Sequence, residues 1–180
     1  MDGLILPCRE YWPAAVQSED GSYAVNLDLP DTNAPTEELV VGTNQSLPVL
    51  RFPDAAVAKV RRWIRLPSDL YVAGGLALQI FWRTVATSGD VNWEAETAFV
   101  DTGASLDPTF TGATEIASPA EAVSGALAKS SIDLDVTGAV AGALLCLQLT
   151  RDASDSDDNL VDAVDLIGIE LQYQRLVVLP

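Results

Sequence analysis

The stretch Leu76–Val100, LALQIFWRTVATSGDVNWEAETAFV, decides the fold. Leu76, Leu78, Ile80 and Trp82 recur at every second position, and Val91, Trp93, Ala95, Thr97 and Phe99 do so again. Successive side chains of a strand point to opposite faces, so this period predicts two half-buried strands. Asn92, Glu94 and Glu96 have the opposite parity and take the outward face. Between the runs, Thr87-Ser88-Gly89-Asp90 has the chemistry of a tight turn and predicts a hairpin.

The same pattern extends in both directions. In Val57–Leu66, Val60, Ile64 and Leu66 alternate with Lys59, Arg61, Trp63 and Arg65, giving one apolar and one basic-aromatic side before Pro67 ends the strand. Later come Ile132, Leu134 and Val136, then Ala143–Arg151, then Val161–Tyr173, with Ile167, Ile169, Leu171 and Tyr173 on one face. Pro119–Lys129 reads as strand or loop, because Gly125 and flanking serines weaken a helix there. Many short strands with turn signals and almost no helix predict an all-β protein, an antiparallel β-sandwich of jelly-roll type. Seven of the ten prolines fall within the first 67 residues. They oppose long helices and central strands, so residues 1–56 are expected to form an extended Pro-rich N-terminal arm, lying over its own core or on a neighbouring molecule, and residues 57–180 the sandwich.

Composition narrows the chemistry. With 26 acidic against 10 basic residues the formal charge is −16 and the pI about 4.1, which disfavours a nucleic-acid partner. There is no histidine, so a Ser/His/Asp triad, a Cys/His dyad, a His metal site and a histidine pH switch are all excluded. Cys8 and Cys146 are too far apart in sequence to suggest a disulfide framework or a zinc motif and are expected to be free. LILPC at Leu4–Cys8 lacks the basic flank and the long apolar run of a signal or lipid-anchor segment. The longest apolar stretch, Ala139–Leu147, is about half of the ~20 residues of a membrane-spanning helix, so no membrane partner is expected.

Three constellations stand out. Asp152, Asp155, Asp157, Asp158, Asp162 and Asp165 place six carboxylates in fourteen residues. The spacing fits no EF-hand, so a solvated loop with Asp turn chemistry is expected, with a calcium site at Asp152, Asp155, Asp157 and Asp158 as the lesser alternative. Glu94 and Glu96 share a strand face roughly 7 Å apart, a separation seen in inverting glycosidases, yet two equivalent exposed glutamates lack the contrast in environment that such catalysis needs. No catalytic residue and no cofactor are therefore expected. Arg51, Lys59, Arg61, Arg62 and Arg65 hold half of the positive charge in fifteen residues, whereas Asp152–Glu170 has seven acids and no base. Such patches suit contact between copies, or pairing within one subunit. Trp63, among these bases, is placed to stack on a sugar or to pack at a subunit contact. Trp82 and Trp93, sharing faces with aliphatic residues, are expected in the core.

The segments WIRLPSDLY (Trp63–Tyr71), LALQIFWRTVATSGDVNWEAE (Leu76–Glu96) and LQLTRDASDSDDNLVDAVDLIGIELQY (Leu147–Tyr173) together resemble the jelly-roll β-sandwich proteins of tailed-bacteriophage virions. The resemblance implies a non-enzymatic virion protein, a capsid decoration or cement protein that binds the outer capsid surface as a homotrimer and bridges major capsid proteins. The alternative it implies is a receptor- or carbohydrate-binding head of a tail fibre or other appendage, with a glycan as partner. A chain with its own Met1, one sandwich and no shaft repeats is expected to be a free-standing cement protein. Expected contact residues are Leu4, Ile5, Leu6, Tyr11 and Trp12 in the arm and Arg61, Arg62, Trp63 and Arg65 on the sandwich.

Overall fold

The computed structural model describes residues 3–17 and 23–178, so the remaining positions of the expected arm and sandwich lie outside the described residues. Among the described residues twelve strands run in chain order: β1 (Gly3–Pro13), β2 (Ala15–Gln17), β3 (Tyr23–Val25), β4 (Thr36–Val41), β5 (Ser46–Phe52), β6 (Val57–Arg65), β7 (Leu76–Arg83), β8 (Asp90–Val100), β9 (Thr111–Pro119), β10 (Ala128–Leu134), β11 (Leu144–Asp152) and β12 (Val164–Val178). One antiparallel sheet has the order β10-β7-β12-β5-β4, with β1 also paired to β12; a second has the order β6-β11-β8-β9, and β2 and β3 pair as a small two-stranded sheet. From β5 onward the chain changes sheet at every connection except β8 to β9, the crossing pattern of a jelly roll. Among the described residues the only helical element is a 3-10 turn at Val72–Gly74, and no helix is long and apolar enough to cross a membrane.

Alternation explains the core. Leu78, Ile80 and Trp82 from β7, Leu166, Ile169 and Leu171 from β12, Trp93 and Ala95 from β8, and Leu145, Leu147 and Leu149 from β11 are all buried between the sheets. Each large aliphatic side chain enclosed there contributes about 1.5–3 kcal/mol. Trp93 meets Phe52 edge-to-face at 5.3 Å between ring centroids and Trp82 at 6.4 Å, so both expected core tryptophans lie at the centre of the sandwich.

Two expectations need correction. Within residues 3–17 and 23–52, β1, β4 and β5 are strands of the sandwich itself rather than an arm lying over it or on a neighbour. β1 pairs with β12 from Gly3↔Val178 to Pro13↔Gly168, β5 pairs with β12 through Leu50 and Phe52, and Val49, Leu50 and Phe52 are fully buried. The prolines are accommodated because β1 has a ladder on one side only, where a missing N–H need cost no bond. A bulge at Ile167 lets β12 exchange β1 for β5: the ladder shifts between Leu166 and Gly168, and the Ile167 carbonyl accepts from Ala14 N at 2.8 Å. Thr87–Asp90 likewise makes no hairpin, since β7 and β8 belong to different sheets. Gly89, at φ 97°, turns the chain across the sandwich, and Asp90 then pairs with the 153–163 loop through Asn159 and Leu160.

The acidic loop is spent on structure. Arg151, fully buried, gives its guanidinium to both carboxylate oxygens of Asp158 (2.8 and 2.9 Å) and to the carbonyls of Pro53, Leu160 and Asp162. Asp158 also accepts from Asn92 N. A buried pair is favourable only when its hydrogen bonds are met in this way, and removing one partner costs about 3–5 kcal/mol. Asp165 is similarly shared by Arg51 (2.8 Å) and Arg83 (3.1 Å), so part of the opposite charge seen in the sequence pairs within one subunit.

Candidate functional site

The outer face of the four-stranded sheet carries the residues of interest, and strand register places them. Ladder pairs line up in rows across β6, β11 and β8: Trp63–Cys146–Ala98, then Arg61–Gln148–Glu96, then Lys59–Thr150–Glu94. The last row continues to Glu115 on β9. The face grades from a basic and aromatic edge at β6 to an acidic edge at β8 and β9. Arg61 Nε donates to Gln148 Oε1 at 2.8 Å, and Gln148 Nε2 donates onward to Glu96 Oε2. This row presents a guanidinium and a carboxylate, each planar and able to bridge two neighbouring hydroxyls, joined by the buried Gln148 amide between them.

Beside it, the 106–110 segment folds over the sheet. Phe110 lies under the Arg61 guanidinium at 5.2 Å, a cation-π contact. Arg61, Trp63, Cys146, Leu106, Asp107 and Phe110 then border a cleft of about 340 Å³. Leu106 is 73% exposed at its rim and Trp63 is half-buried on its floor. Aromatic carbon beside planar polar groups matches the two kinds of surface on a pyranose ring, its C–H face and its hydroxyl edge.

Electrostatics follow from the register. Glu94 is raised above the ordinary carboxylate range by partial burial and then by the charges of Glu96 and Glu115. The Cys146 thiol is pushed up to about 11, mainly by burial, with Arg61 opposing the shift, so it is a neutral packing group.

The structure separates the residues picked out by sequence. Trp63, Arg61 and Arg65 share the outer face, as their parity demands. Arg62 has the inward parity opposite Leu147, donates to the Asn26 carbonyl and stacks over Trp12 at 5.5 Å. Arg62 and Trp12 are thus half-buried partners of one another, the cation held by a carbonyl and a ring. Tyr11 emerges on the outer face of the six-stranded sheet, while Leu4, Ile5 and Leu6 are exposed along β1. The calcium set is dispersed: Asp158 is bound to Arg151, Asp152 accepts from Ser154 N and Oγ, and Asp155 accepts from Asp157 N. Among the described residues no group of acidic and thiol side chains is arranged to hold a metal ion. Phe110 and Gln148 went unnoticed in the sequence. Gln148 had a signal, a polar residue at the outward parity of a leucine strand, but Phe110 lies in an irregular loop and had none.

No protein-family model and no curated protein sequence matches the chain. Among solved structures it is similar to the carbohydrate-binding module Xyl-CBM35 in complex with a glucuronic acid-containing disaccharide, at 14% identity over 97% of this chain and 99% of that one, with a TM-score of 0.46. It is similar also to a cleaved adhesin domain of Lys-gingipain from Porphyromonas gingivalis (15% identity, 94% and 98% covered, TM-score 0.46). A third is a xylan-binding CBM22 domain from Paenibacillus barcinonensis (14% identity, 86% and 95% covered, TM-score 0.43).

Proposed function

We propose that this protein is a non-catalytic carbohydrate-binding β-sandwich and that the glycan lies along the outer face of the four-stranded sheet. The observation that carries the reading is the juxtaposition of the Trp63–Phe110 cleft with the hydrogen-bonded row Arg61–Gln148–Glu96. A sugar ring would place its C–H face on Trp63. Its hydroxyls would bridge the terminal nitrogens of Arg61 and the free valences of Glu96, which the buried Gln148 amide holds in register. Rigid strands hold all but Phe110, which keeps the entropic cost of binding low. The segment expected to contact capsid subunits, Leu4–Trp12, is a strand of the protein's own sheet, with Leu4, Ile5, Leu6 and Tyr11 left exposed along it.

The test is affinity electrophoresis and calorimetry of the full chain against soluble polysaccharides of glucose, xylose, mannose and galactose. At least one should bind the wild type. Trp63→Ala should weaken that binding about 30-fold or more, the effect of losing an aromatic anchor worth about 2 kcal/mol, with an unchanged circular dichroism spectrum. Equal affinity in Trp63→Ala would remove the ligand from this face.

A further inference from the structure

The opposite outer face, on the six-stranded sheet, has a comparable set of groups and one feature that folding alone leaves unexplained. Register places Ser131, Gln79, Glu170 and Tyr11 in one row across β10, β7, β12 and β1. Gln79 is only 7% exposed. Its Nε2 donates to Ser131 Oγ at 2.5 Å, but its Oε1 is buried without any partner. Buried acceptors are nearly always satisfied, so an unmet acceptor enclosed just beneath the outward face of a strand points to a donor admitted from outside when the covering side chains shift.

The surroundings specify that donor. Glu170, opposite Gln79, accepts from Gln172 Nε2 at 2.8 Å and lies 3.9 Å from Arg9. Tyr11, 49% exposed, lies across Gly168 in a T-shaped contact with Phe81, 5.7 Å between centroids. A Cβ on Gly168 would sit 2.5 Å from the Tyr11 hydroxyl oxygen, so the glycine makes room for the ring. Lys129 flanks Phe81 in the adjacent row, so with Arg9 two cations border the row and oppose a metal ion as the donor. A neutral hydroxyl is left, and the half-exposed tyrosine ring beside it favours one carried on a C–H face. Arg9, Gln172 and Asp133 continue into a cleft of about 510 Å³ closed by Gly74 and Gly75, which gives room for more than one ring.

We propose that the outer face of the six-stranded sheet is a second carbohydrate-binding surface, centred on Gln79 and Tyr11, and that one copy of the protein holds two glycan chains on opposite faces. The inference shares the ligand class of the proposed function but rests on separate residues.

Calorimetry with hexasaccharides of glucose, xylose, mannose and galactose on the full chain decides it. The wild type should bind two equivalents of at least one probe. Trp63→Ala should retain one, and adding Tyr11→Ala or Gln79→Leu should weaken that remaining equivalent at least tenfold. Gln79→Leu should also melt no lower than wild type, since it removes an unmet acceptor; if it does not fold, Tyr11→Ala, which trims an exposed ring, carries the test. One equivalent that vanishes with Trp63→Ala overturns the second surface and leaves the first. One equivalent that survives Trp63→Ala and vanishes with Tyr11→Ala leaves only the second. No binding of any probe by the wild type overturns both, as does binding that ignores all three substitutions.

Discussion

Glu94 shows how register turns a benign residue into a strained one. It faces Glu115 directly across the β8–β9 ladder and shares a strand face with Glu96. Burial and these like charges raise its proton affinity in the fold. A carboxyl whose folded pKa is raised penalises the native state when ionised, so the penalty is absent at low pH and grows as pH rises through the carboxylate range. Glu94→Gln should therefore stabilise the protein at pH 7 by about 0.2–1 kcal/mol, the size of a cross-strand charge effect. Melts repeated near pH 4, where wild-type Glu94 increasingly carries its own proton, should show the gain shrink. A pH-independent gain would mean that packing, not charge, is responsible. Residue by residue, parity was enough to assign outward Trp63, Glu94 and Glu96 and inward Trp82 and Trp93, but not to warn that Arg62 sits at an inward position. Its stack on Trp12 joins residues fifty positions apart, a separation that no local pattern encodes.

At the scale of elements, β1 and β12 make the largest departure from expectation. The N-terminal segment has prolines at 7 and 13 and no clean alternation, so it does not read as a strand. Its partner determines it: an eleven-residue ladder to β12 supplies the hydrogen bonds, and Cys8 and Trp12 pack against the core. Deleting Met1–Pro13 should accordingly uncover the side of β12 from Gly168 to Val178 and cost more than about 3 kcal/mol, the scale of losing one large core side chain. Solubility and thermal melting of the truncated chain are the check, and a truncated form melting like wild type would show that the β1 ladder contributes little. Thr87–Asp90 teaches the converse lesson. Its turn chemistry was legible, but whether a turn joins neighbours in one sheet or crosses between sheets depends on where both strands find partners.

The whole molecule has a charge of −16 and several internal ion pairs, two effects that salt moves in opposite directions. Arg151–Asp158 is fully enclosed and poorly screened, whereas the surplus acids are spread over the surface. Self-repulsion should dominate, so raising NaCl from about 0.05 to about 0.5 M should increase Tm by about 2–4 °C, near 1 kcal/mol for a chain of this size. A falling Tm would put the net weight on the exposed pairs Arg51–Glu38 and Arg175–Asp69 instead. The sequence by itself determined the class of fold, the inner and outer parity of its clearest strands and the chemistry this protein lacks, because alternation and composition are local properties. Only the tertiary structure decided that the N-terminal segment belongs to the sandwich, that the aspartates serve Arg151 and their own turns, and that Arg61, Gln148 and Glu96 form one row beside Trp63. These are pairings between strands distant in sequence, set by register and burial across the whole core.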